Sequence, residues 1–215
     1  MIKMSTSNKG AFISFEGIDG CGKSTQVKLL LEKLDKEDIA CSLVREPGGT
    51  QVSEEIRSVL LKTRTENMSS RAEALLMTAS RAQLTKEKIK PALKDGICII
   101  ADRYKDSTLA YQGGGRGINI EYLIELNNFA TYDLDPDLTI LIDISSVEAK
   151  NRSVVSDPDR IESAGLEFQE EVRNLYLELA GRFPERFFKI DGNESIEVIH
   201  GRIWEKTINC INAKK

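Results

Sequence analysis

Short apolar runs alternate along the chain with longer segments in which apolar residues recur at helical spacing. The runs are nearly continuous, which is typical of parallel strands covered on both faces, and they span residues 11–16, 41–45, 97–101, 138–143 and 187–190. The amphipathic segments predict helices over residues 23–34, 52–62, 70–93, 121–131, 168–183 and 195–211. Within the third of these, Pro91 is expected to bend or end the helix because it lacks a backbone N–H.

This alternation predicts an α/β fold, in which helices flank a doubly wound parallel sheet of five strands. At 215 residues, of which 40% are hydrophobic, the chain suits a single domain with a sizeable core. The polar residues 1–10 predict a flexible tail. Consecutive glycines at 113–115 predict backbone mobility or the close approach of a ligand, with a simple flexible loop as the alternative.

The first predicted strand and helix are joined by a segment that fits the Gly-x-x-x-x-Gly-Lys-Ser pattern without gaps. Its residues are Gly17, Ile18, Asp19, Gly20, Cys21, Gly22, Lys23 and Ser24, followed by Thr25. Glycines let backbone N–H groups turn inward, and a helix N-terminus adds unpaired N–H groups with partial positive charge. Lys23 is expected to reach the β- and γ-phosphates of a nucleoside triphosphate, and the Ser24 hydroxyl to ligate Mg²⁺.

Further clusters are candidates for a second anion site. Asp102 and Arg103 follow the strand at 97–101, so they are expected to face the ligand crevice at the carboxyl end of the sheet. Asp102 can act near Mg²⁺, and Arg103 can clamp a phosphate with its guanidinium fork, although an ordinary ion pair explains their placement equally well. Residues 45–50, with Arg57 beyond them, and residues 112–117 are glycine-rich turns that are either functional or purely structural.

Composition narrows the function classes. A net charge of −4 with interspersed signs argues against broad nucleic-acid binding, which needs a positive face. We expect no membrane partner, since no apolar run approaches spanning length and no secretory signal is visible at the start. The four cysteines lack the spacing of a zinc or redox motif, and a single histidine, His200, makes histidine-based catalysis unexpected.

Several motifs together resemble those of thymidylate kinase of the bacterial type. They keep the family's order, at residues 15–25, 45–50, 102–104, 110–117, 136–139 and 159–162. The phosphate loop is common to many families, whereas the stretches at 45–49 and 111–117 are far more specific. The resemblance implies one P-loop nucleoside monophosphate kinase domain over residues 1–215, with a lid at 151–165. It also implies transfer of the γ-phosphoryl group of ATP to thymidine monophosphate (dTMP), giving ADP and dTDP for dTTP synthesis.

The resemblance implies roles for individual residues as well. ATP would lie on residues 17–25, and Mg²⁺ would be held by Ser24, Glu16 and Asp102, in part through water. The catalytic residues it implies are Lys23, Asp19, Arg103 and a lid arginine, either Arg152 or Arg160. Phosphoryl transfer needs in-line positioning and charge stabilisation, so no strong general base is expected.

The implied dTMP site draws on residues from distant segments. They are Asp19, Arg45, Pro47, Arg57, Met77, Arg81, Arg103, Ser107, Thr108, Tyr111 and Gln112. Arg81 matches the arginine that hydrogen-bonds the thymine carbonyl, and Tyr111 matches the tyrosine that leaves no room for a ribose 2′-hydroxyl. Met77 stands where relatives usually place a phenylalanine, and a sulfur–aromatic contact there contributes about 0.3–1.5 kcal/mol. Much of the lid that is often basic is replaced by Ser153, Val154, Val155 and Ser156.

Alternative functions remain open. Another small P-loop kinase with a nucleoside or nucleotide acceptor is the nearest, and a GTP-hydrolysing switch is the alternative from a different class. No guanine-specificity motif follows the late strand at 138–143, which disfavours the switch. The scattered cysteines and the missing secretory signal suggest a reducing cytosol. The resemblance further implies a homodimer. Its candidate face comprises Leu123, Ile124, Leu126 and Phe129, although core burial explains these side chains equally well.

Overall fold

The parallel sheet predicted from the apolar runs is present. The computed structural model describes residues 9–63, 68–152 and 159–214. Across these residues the strands are β1 Phe12–Glu16, β2 Cys41–Arg45, β3 Cys98–Asp102, β4 Leu138–Asp143 and β5 Phe187–Asp191. They form one sheet in the order β2-β3-β1-β4-β5, with every neighbouring pair parallel. The predicted α/β fold is confirmed, and each strand boundary lies within one residue of its prediction.

Helices fill the connections between the strands. They are α1 Lys23–Lys36, α2 Gln51–Leu61, α3 Ser70–Leu84, α4 Lys90–Lys94, α5 Lys105–Thr108, α6 Ile120–Thr131, α7 Ser146–Arg152, α8 Leu166–Arg182 and α9 Ile196–Asn212. Two π-helical segments, Thr85–Ile89 and Leu109–Gly115, follow α3 and α5 directly, and a 3-10 turn covers Glu162–Ala164. The long helix predicted over 70–93 is therefore divided, and Pro91 falls in the first turn of α4, a position that proline tolerates.

The sheet brings three strand ends to one edge. Fully buried residues such as Ile13, Ile100 and Ile140 hold the strands in the core. The parallel register sets Asp102 beside both Phe15 and Arg45, so the carboxyl ends of β1, β2 and β3 meet. Segments that leave these strands therefore start side by side, as expected for a ligand crevice in this class of fold.

The glycine run is ordered by helix packing. Residues Gly113, Gly114 and Gly115 belong to the second π-helical segment, which lies against α8. A β-carbon at Gly114 would lie 2.6 Å from Glu171 O, and one at Gly115 would lie 2.3 Å from Phe168 Cε2. The expectation of a mobile or ligand-contacting loop is thus wrong for these three residues, because glycine is needed there for close contact with a neighbouring helix.

Three further expectations concern the tail, the lid and the dimer face. Residues 1–8 of the predicted tail lie outside the described residues, but Gly10 is buried and donates its N–H to Leu93 O at 2.8 Å. Of the predicted lid, residues 153–158, with Ser153, Val154, Val155 and Ser156, lie outside the described residues as well. Leu123 packs in the core with Ala74 and is 1% exposed. Within the described ranges, no helix is both long enough and apolar enough to cross a membrane.

Candidate active site

The phosphate loop connects β1 to α1 and closes around a lysine. Gly22 caps α1 in a left-handed conformation with φ 98°, which glycine adopts without steric penalty. The Lys23 ammonium donates to Gly17 O at 2.9 Å and to Ile18 O at 3.0 Å, and it lies 3.7 Å from Cys21 Sγ. The positive charge of Lys23 and the N-terminus of α1 therefore serve the same loop, which suits a chain of phosphates.

One side of this loop is open. Gly20, Gly22, Ser24 and Thr25 are exposed. A β-carbon at Gly20 would lie 2.4 Å from Ala149 O, so α7 packs directly against the loop. The open residues are thus bounded by α7 at one end and by the start of α1 at the other.

A cavity of about 300 Å³ adjoins the loop. The predicted site residues that line it are Asp19, Ser24, Arg45, Pro47, Arg57, Met77, Arg81, Asp102, Arg103, Ser107, Thr108, Tyr111 and Gln112. Every residue predicted for the dTMP site is among them. The fold therefore brings together side chains that are separated by more than ninety positions in the sequence.

Arg103 links the cavity to the phosphate loop. It follows β3 with φ 72°, which is uncommon for a residue with a side chain, and its N–H donates to Phe15 O at 3.0 Å. Its Nη1 donates to Gly17 O at 2.9 Å, while its Nη2 donates to Asp19 Oδ1 at 2.6 Å and to Tyr111 OH at 2.9 Å. The guanidinium is consequently fixed at the boundary between loop and cavity.

Asp19 completes this arrangement as an anion. Its Oδ2 accepts a hydrogen bond from Tyr111 OH at 2.9 Å, and Arg103 also lies over the Tyr111 ring, 4.9 Å from its centroid. Burial alone would raise the pKa of Asp19, but the charges of Arg103 and Lys23, with the hydrogen bond from Tyr111, outweigh it and lower the pKa to about 2. Asp19 is therefore ionised at neutral pH and orients Arg103.

Glu16, predicted for the metal shell, is not in the cavity wall. It is fully buried, and its Oε1 accepts from the Tyr104 N–H at 2.8 Å. Its Oε2 accepts from Ser107 Oγ at 2.6 Å and Tyr176 OH at 2.8 Å. Burial, with the negative charge of Asp106, raises the pKa of Glu16 to about 7 against these hydrogen bonds. Because protein donors occupy both oxygens, this placement contradicts a role as a direct metal ligand.

Ser24 and Asp102, the other residues predicted for the metal shell, do line the cavity. Hydroxyl and carboxylate oxygens are donors that Mg²⁺ prefers. Within the described part of the chain, no group of three or more His, Cys, Asp or Glu side chains is arranged to hold a metal by itself. Ser24 and Asp102 therefore have the donor chemistry for Mg²⁺, and an ion held by them would need further oxygen ligands from phosphate or water.

Arg81 forms a buried network in another part of the cavity wall. Its Nε donates to Glu46 Oε2 at 2.7 Å, and its Nη2 donates to Tyr104 O at 3.0 Å. Its Nη1 donates to Thr108 Oγ1 at 2.7 Å and to Asn127 Oδ1 at 2.6 Å. Since these donors already have protein partners, a thymine carbonyl at Arg81 would share one of its N–H groups.

The structure places neither predicted lid arginine in the cavity. Arg152 donates to Gly192 O at 2.8 Å and to Asn193 Oδ1 at 3.0 Å, beyond the end of β5. Arg160 donates to Glu73 Oε2 at 2.6 Å and to a backbone oxygen at the end of α2 at 2.9 Å. The prediction that one of them contacts the transferring group is therefore not met by this arrangement, because both guanidinium groups are bound elsewhere.

A family model described as thymidylate kinase matches residues 15–203. The chain belongs to the thymidylate kinase family. The thymidylate kinase of Fervidobacterium nodosum is 50% identical over 192 residues, which cover 89% of this chain and 95% of that protein. Those of Caldanaerobacter subterraneus subsp. tengcongensis and Kosmotoga olearia are 48% and 45% identical, covering 89% and 93% of this chain and 92% and 96% of the relatives.

In this member of the thymidylate kinase family, the motifs leave part of the site unassigned. Glu46, Leu61, Asp159 and Ile161 also line the cavity. Glu46, Asp159 and Ile161 stand within stretches that carried the resemblance, so a sequence signal for them was present. Tyr176, which bonds Glu16 from α8, had no such signal because it lies inside an ordinary amphipathic helix.

Proposed function

We propose that this chain is an ATP-dependent thymidylate kinase, which transfers the γ-phosphoryl group of ATP to dTMP and releases ADP and dTDP for dTTP synthesis. The observation that carries this proposal is a phosphate loop adjoining a cavity lined by Arg45, Arg57 and Arg103. Membership of the thymidylate kinase family supports it, as do relatives of that name at 45–50% identity.

In this proposal the donor nucleotide occupies residues 17–25. The backbone N–H groups at the start of α1 and the Lys23 ammonium balance the charge of the phosphates. Ser24 and Asp102 hold Mg²⁺, which when bound neutralises charge on the phosphate oxygens. Arg152 stays a candidate for the donor side, because α7 packs on the loop at Gly20.

The phosphate of dTMP contacts the arginines of the cavity. Arg45 Nη1 and Arg57 Nη1 both donate to Pro47 O, at 3.3 and 2.9 Å, which draws them to one side of the turn after β2. Arg103 reaches the same cavity from β3 and is oriented by ionised Asp19. A phosphate oxygen is already a competent nucleophile, so these residues need only align it and stabilise charge.

The nucleoside part of dTMP meets less strongly charged groups. Met77 packs on the thymine ring, Arg81 shares an N–H with a ring carbonyl, and Ser107 or Thr108, together with Gln112, contacts the base or sugar edge. The Tyr111 hydroxyl donates to Asp19 and accepts from Arg103, so its ring is held in a fixed place. A rigid ring at this point excludes the 2′-hydroxyl of a ribonucleotide.

The test is a panel of acceptors given to the purified chain with ATP and Mg²⁺, with nucleoside diphosphates separated by chromatography. We expect dTMP to react fastest among dTMP, dUMP, dCMP and the ribonucleotide of thymine. Faster turnover of dUMP or dCMP would assign the chain to another nucleotide kinase. Phosphate release from GTP without any acceptor would favour the switch, and no phosphoryl transfer to any monophosphate would refute the proposal.

We also propose a homodimer in the cytoplasm. Tyr122 and Phe129 are 71% and 85% exposed on one face of α6, whereas Ile124 and Leu126 are half-buried. Large exposed aromatic side chains on one helix face are typical of an interaction surface. Light scattering is expected to give twice the chain mass of 24.0 kDa, and a monomer mass would contradict the dimer. Four free cysteines are compatible with a reducing compartment.

A further inference from the structure

Glu73 is a buried carboxylate outside the cavity wall that accepts hydrogen bonds from separate segments. It lies on α3 and is 1% exposed. Its Oε1 accepts from Gln112 Nε2 at 2.9 Å and from Arg116 Nε at 3.1 Å. Its Oε2 accepts from Arg116 Nη2 at 3.3 Å and from Arg160 Nη1 at 2.6 Å. One carboxylate thus joins α3, the glycine-rich segment and the predicted lid.

Charge holds this cluster together. Burial alone would raise the pKa of Glu73, but the hydrogen bonds from Arg116, Gln112 and Arg160 outweigh it and lower the pKa. The carboxylate is therefore ionised at neutral pH and faces two guanidinium groups. Removal of its charge would leave two partly buried arginines without their shared anion, which is strongly unfavourable.

Arg160 extends the cluster into the lid. Its Nε donates to Leu60 O at 2.9 Å, and its backbone N–H donates to Leu61 O at 3.4 Å, both at the end of α2. The residues on either side of it, Asp159 and Ile161, line the cavity. The contacts of Arg160 with Glu73 and with the end of α2 therefore fix where these two lid residues lie.

Gln112 extends the cluster into the acceptor site. It lines the cavity and donates to the same carboxylate oxygen that Arg116 contacts. Met77, one helical turn after Glu73 on α3, lines the cavity as well. Glu73 is consequently connected both to lid residues and to nucleoside-contacting residues of one cavity.

We propose that Glu73 is a positioning residue that latches residues 159–161 of the lid onto the acceptor site, so that dTMP binding and lid placement are coupled. This inference rests on the proposed function. Arg160 acts through Glu73 and the end of α2, and it is not the group that stabilises charge on the transferring phosphoryl. The coupling follows from geometry: the same carboxylate orients Gln112 and fixes Arg160.

Kinetics with the intact chain test the latch through Glu73→Gln, Arg160→Gln and the double variant, with Glu121→Gln as the matched control. Glu121 also binds an arginine through two hydrogen bonds, to Arg182, but on the exposed surface between α6 and α8. Each latch variant is expected to raise the KM for dTMP at least about tenfold, because buried charged groups lose a partner. The KM for ATP, and every constant of the control, should stay within about twofold.

The double variant separates a latch from two independent roles. Because both side chains serve one contact, the double variant should raise the KM for dTMP no more than about twofold beyond the larger single effect. Multiplied single effects would overturn the latch. So would a fall of about 100-fold in kcat for Arg160→Gln with an unchanged KM for dTMP, since that pattern marks a group acting at the transition state. Should Glu73→Gln fail to fold, the comparison of kcat with the KM for dTMP can still be made with Arg160→Gln, because Arg160 is partly exposed.

A readout without nucleotide keeps the latch distinct from the proposed function. Glu73→Gln should increase tryptic cleavage after Arg160 about tenfold, while cleavage at other sites keeps its wild-type rate. Unchanged cleavage after Arg160 would overturn the latch even in an active enzyme. Absence of dTMP turnover by the wild-type chain would refute the proposed function instead, and the cleavage result would still decide whether Glu73 holds the lid.

Discussion

The two regions proposed to bind the phosphate groups are built in opposite ways. The phosphate loop uses the contiguous residues 17–25 and relies on backbone groups, with Gly22 in a left-handed turn. The adjoining cavity collects side chains from distant elements, including Arg45 of β2 and Arg57 of α2. Its arginines are held by hydrogen-bonding partners, as Asp19 holds Arg103. Local geometry thus suffices for the proposed donor side, whereas the proposed acceptor side depends on long-range partners.

The largest expected effect falls on the donor side. Lys23→Met should lower kcat by about 10³-fold, because a charge aimed at the transferring phosphoryl is lost from a buried position. Binding of dTMP, measured by calorimetry, should change far less, by no more than about threefold, since the ammonium reaches the acceptor side only through Gly17 O and the charge of Asp19. Lys28→Met, on the exposed side of α1, is the control. Loss of dTMP affinity in Lys23→Met would show that the two regions are not separable.

Next in size is the acceptor arginine. Arg103→Lys should lower kcat/KM for dTMP by about 10²–10³-fold, because an ammonium lacks the rigid planar fork that spans Gly17 O, Asp19 and Tyr111. The KM for ATP should be nearly unchanged in steady-state kinetics. Arg182→Lys on the surface provides the reference. A lysine that supported wild-type turnover would mean that charge alone, and not the fork, builds this side.

The third effect is on the stability of the folded chain and concerns the buried carboxyl group of Glu16. The pKa of Glu16 is about 7 in the folded chain and 4.5 in the unfolded reference, so the native state binds this proton more tightly. The resulting stabilisation is complete below pH 4.5, is lost as pH rises through 7, and amounts to about 3 kcal/mol. Glu16→Gln should lack this decline between pH 4.5 and 7.

Urea unfolding at pH 5 and pH 8 measures the difference between the wild type and Glu16→Gln. The glutamine keeps an acceptor for the Tyr104 N–H, and the hydroxyls of Ser107 and Tyr176 can reorient toward its amide. If the free energy of unfolding of both proteins changed equally between pH 5 and pH 8, a group other than Glu16 would dominate its pH dependence.

The fold could be predicted closely because its signals are local. Strands buried on both faces appear as continuous apolar runs, and the run at 138–143 matches β4 without a shift. The role of the glycines at 113–115 could not be predicted in the same way. Gly115 is glycine because Phe168, more than fifty residues later, packs against its backbone, and no local pattern announces that contact.

The same distinction between local and long-range signals applies to the candidate active site. Motifs predicted the phosphate loop and most of the residues that line the cavity, since residue type and position after a strand suffice for those. They did not predict the hydrogen bonds of Glu16, because Ser107 and Tyr176, which donate them, reach it from later elements. They likewise missed Glu73, whose role depends on partners that only the folded chain assembles.

The left-handed backbone at Arg103 carries a strain of about 1–3 kcal/mol, which the pairing of β3 with β1 sustains. Glycine at this position would relax the main chain and add robustness to heat, but it would remove the guanidinium from the cavity. Selection for durability and selection for turnover therefore act on this single position in opposite directions. Arginine at this position therefore keeps a guanidinium at the cavity at the expense of main-chain stability.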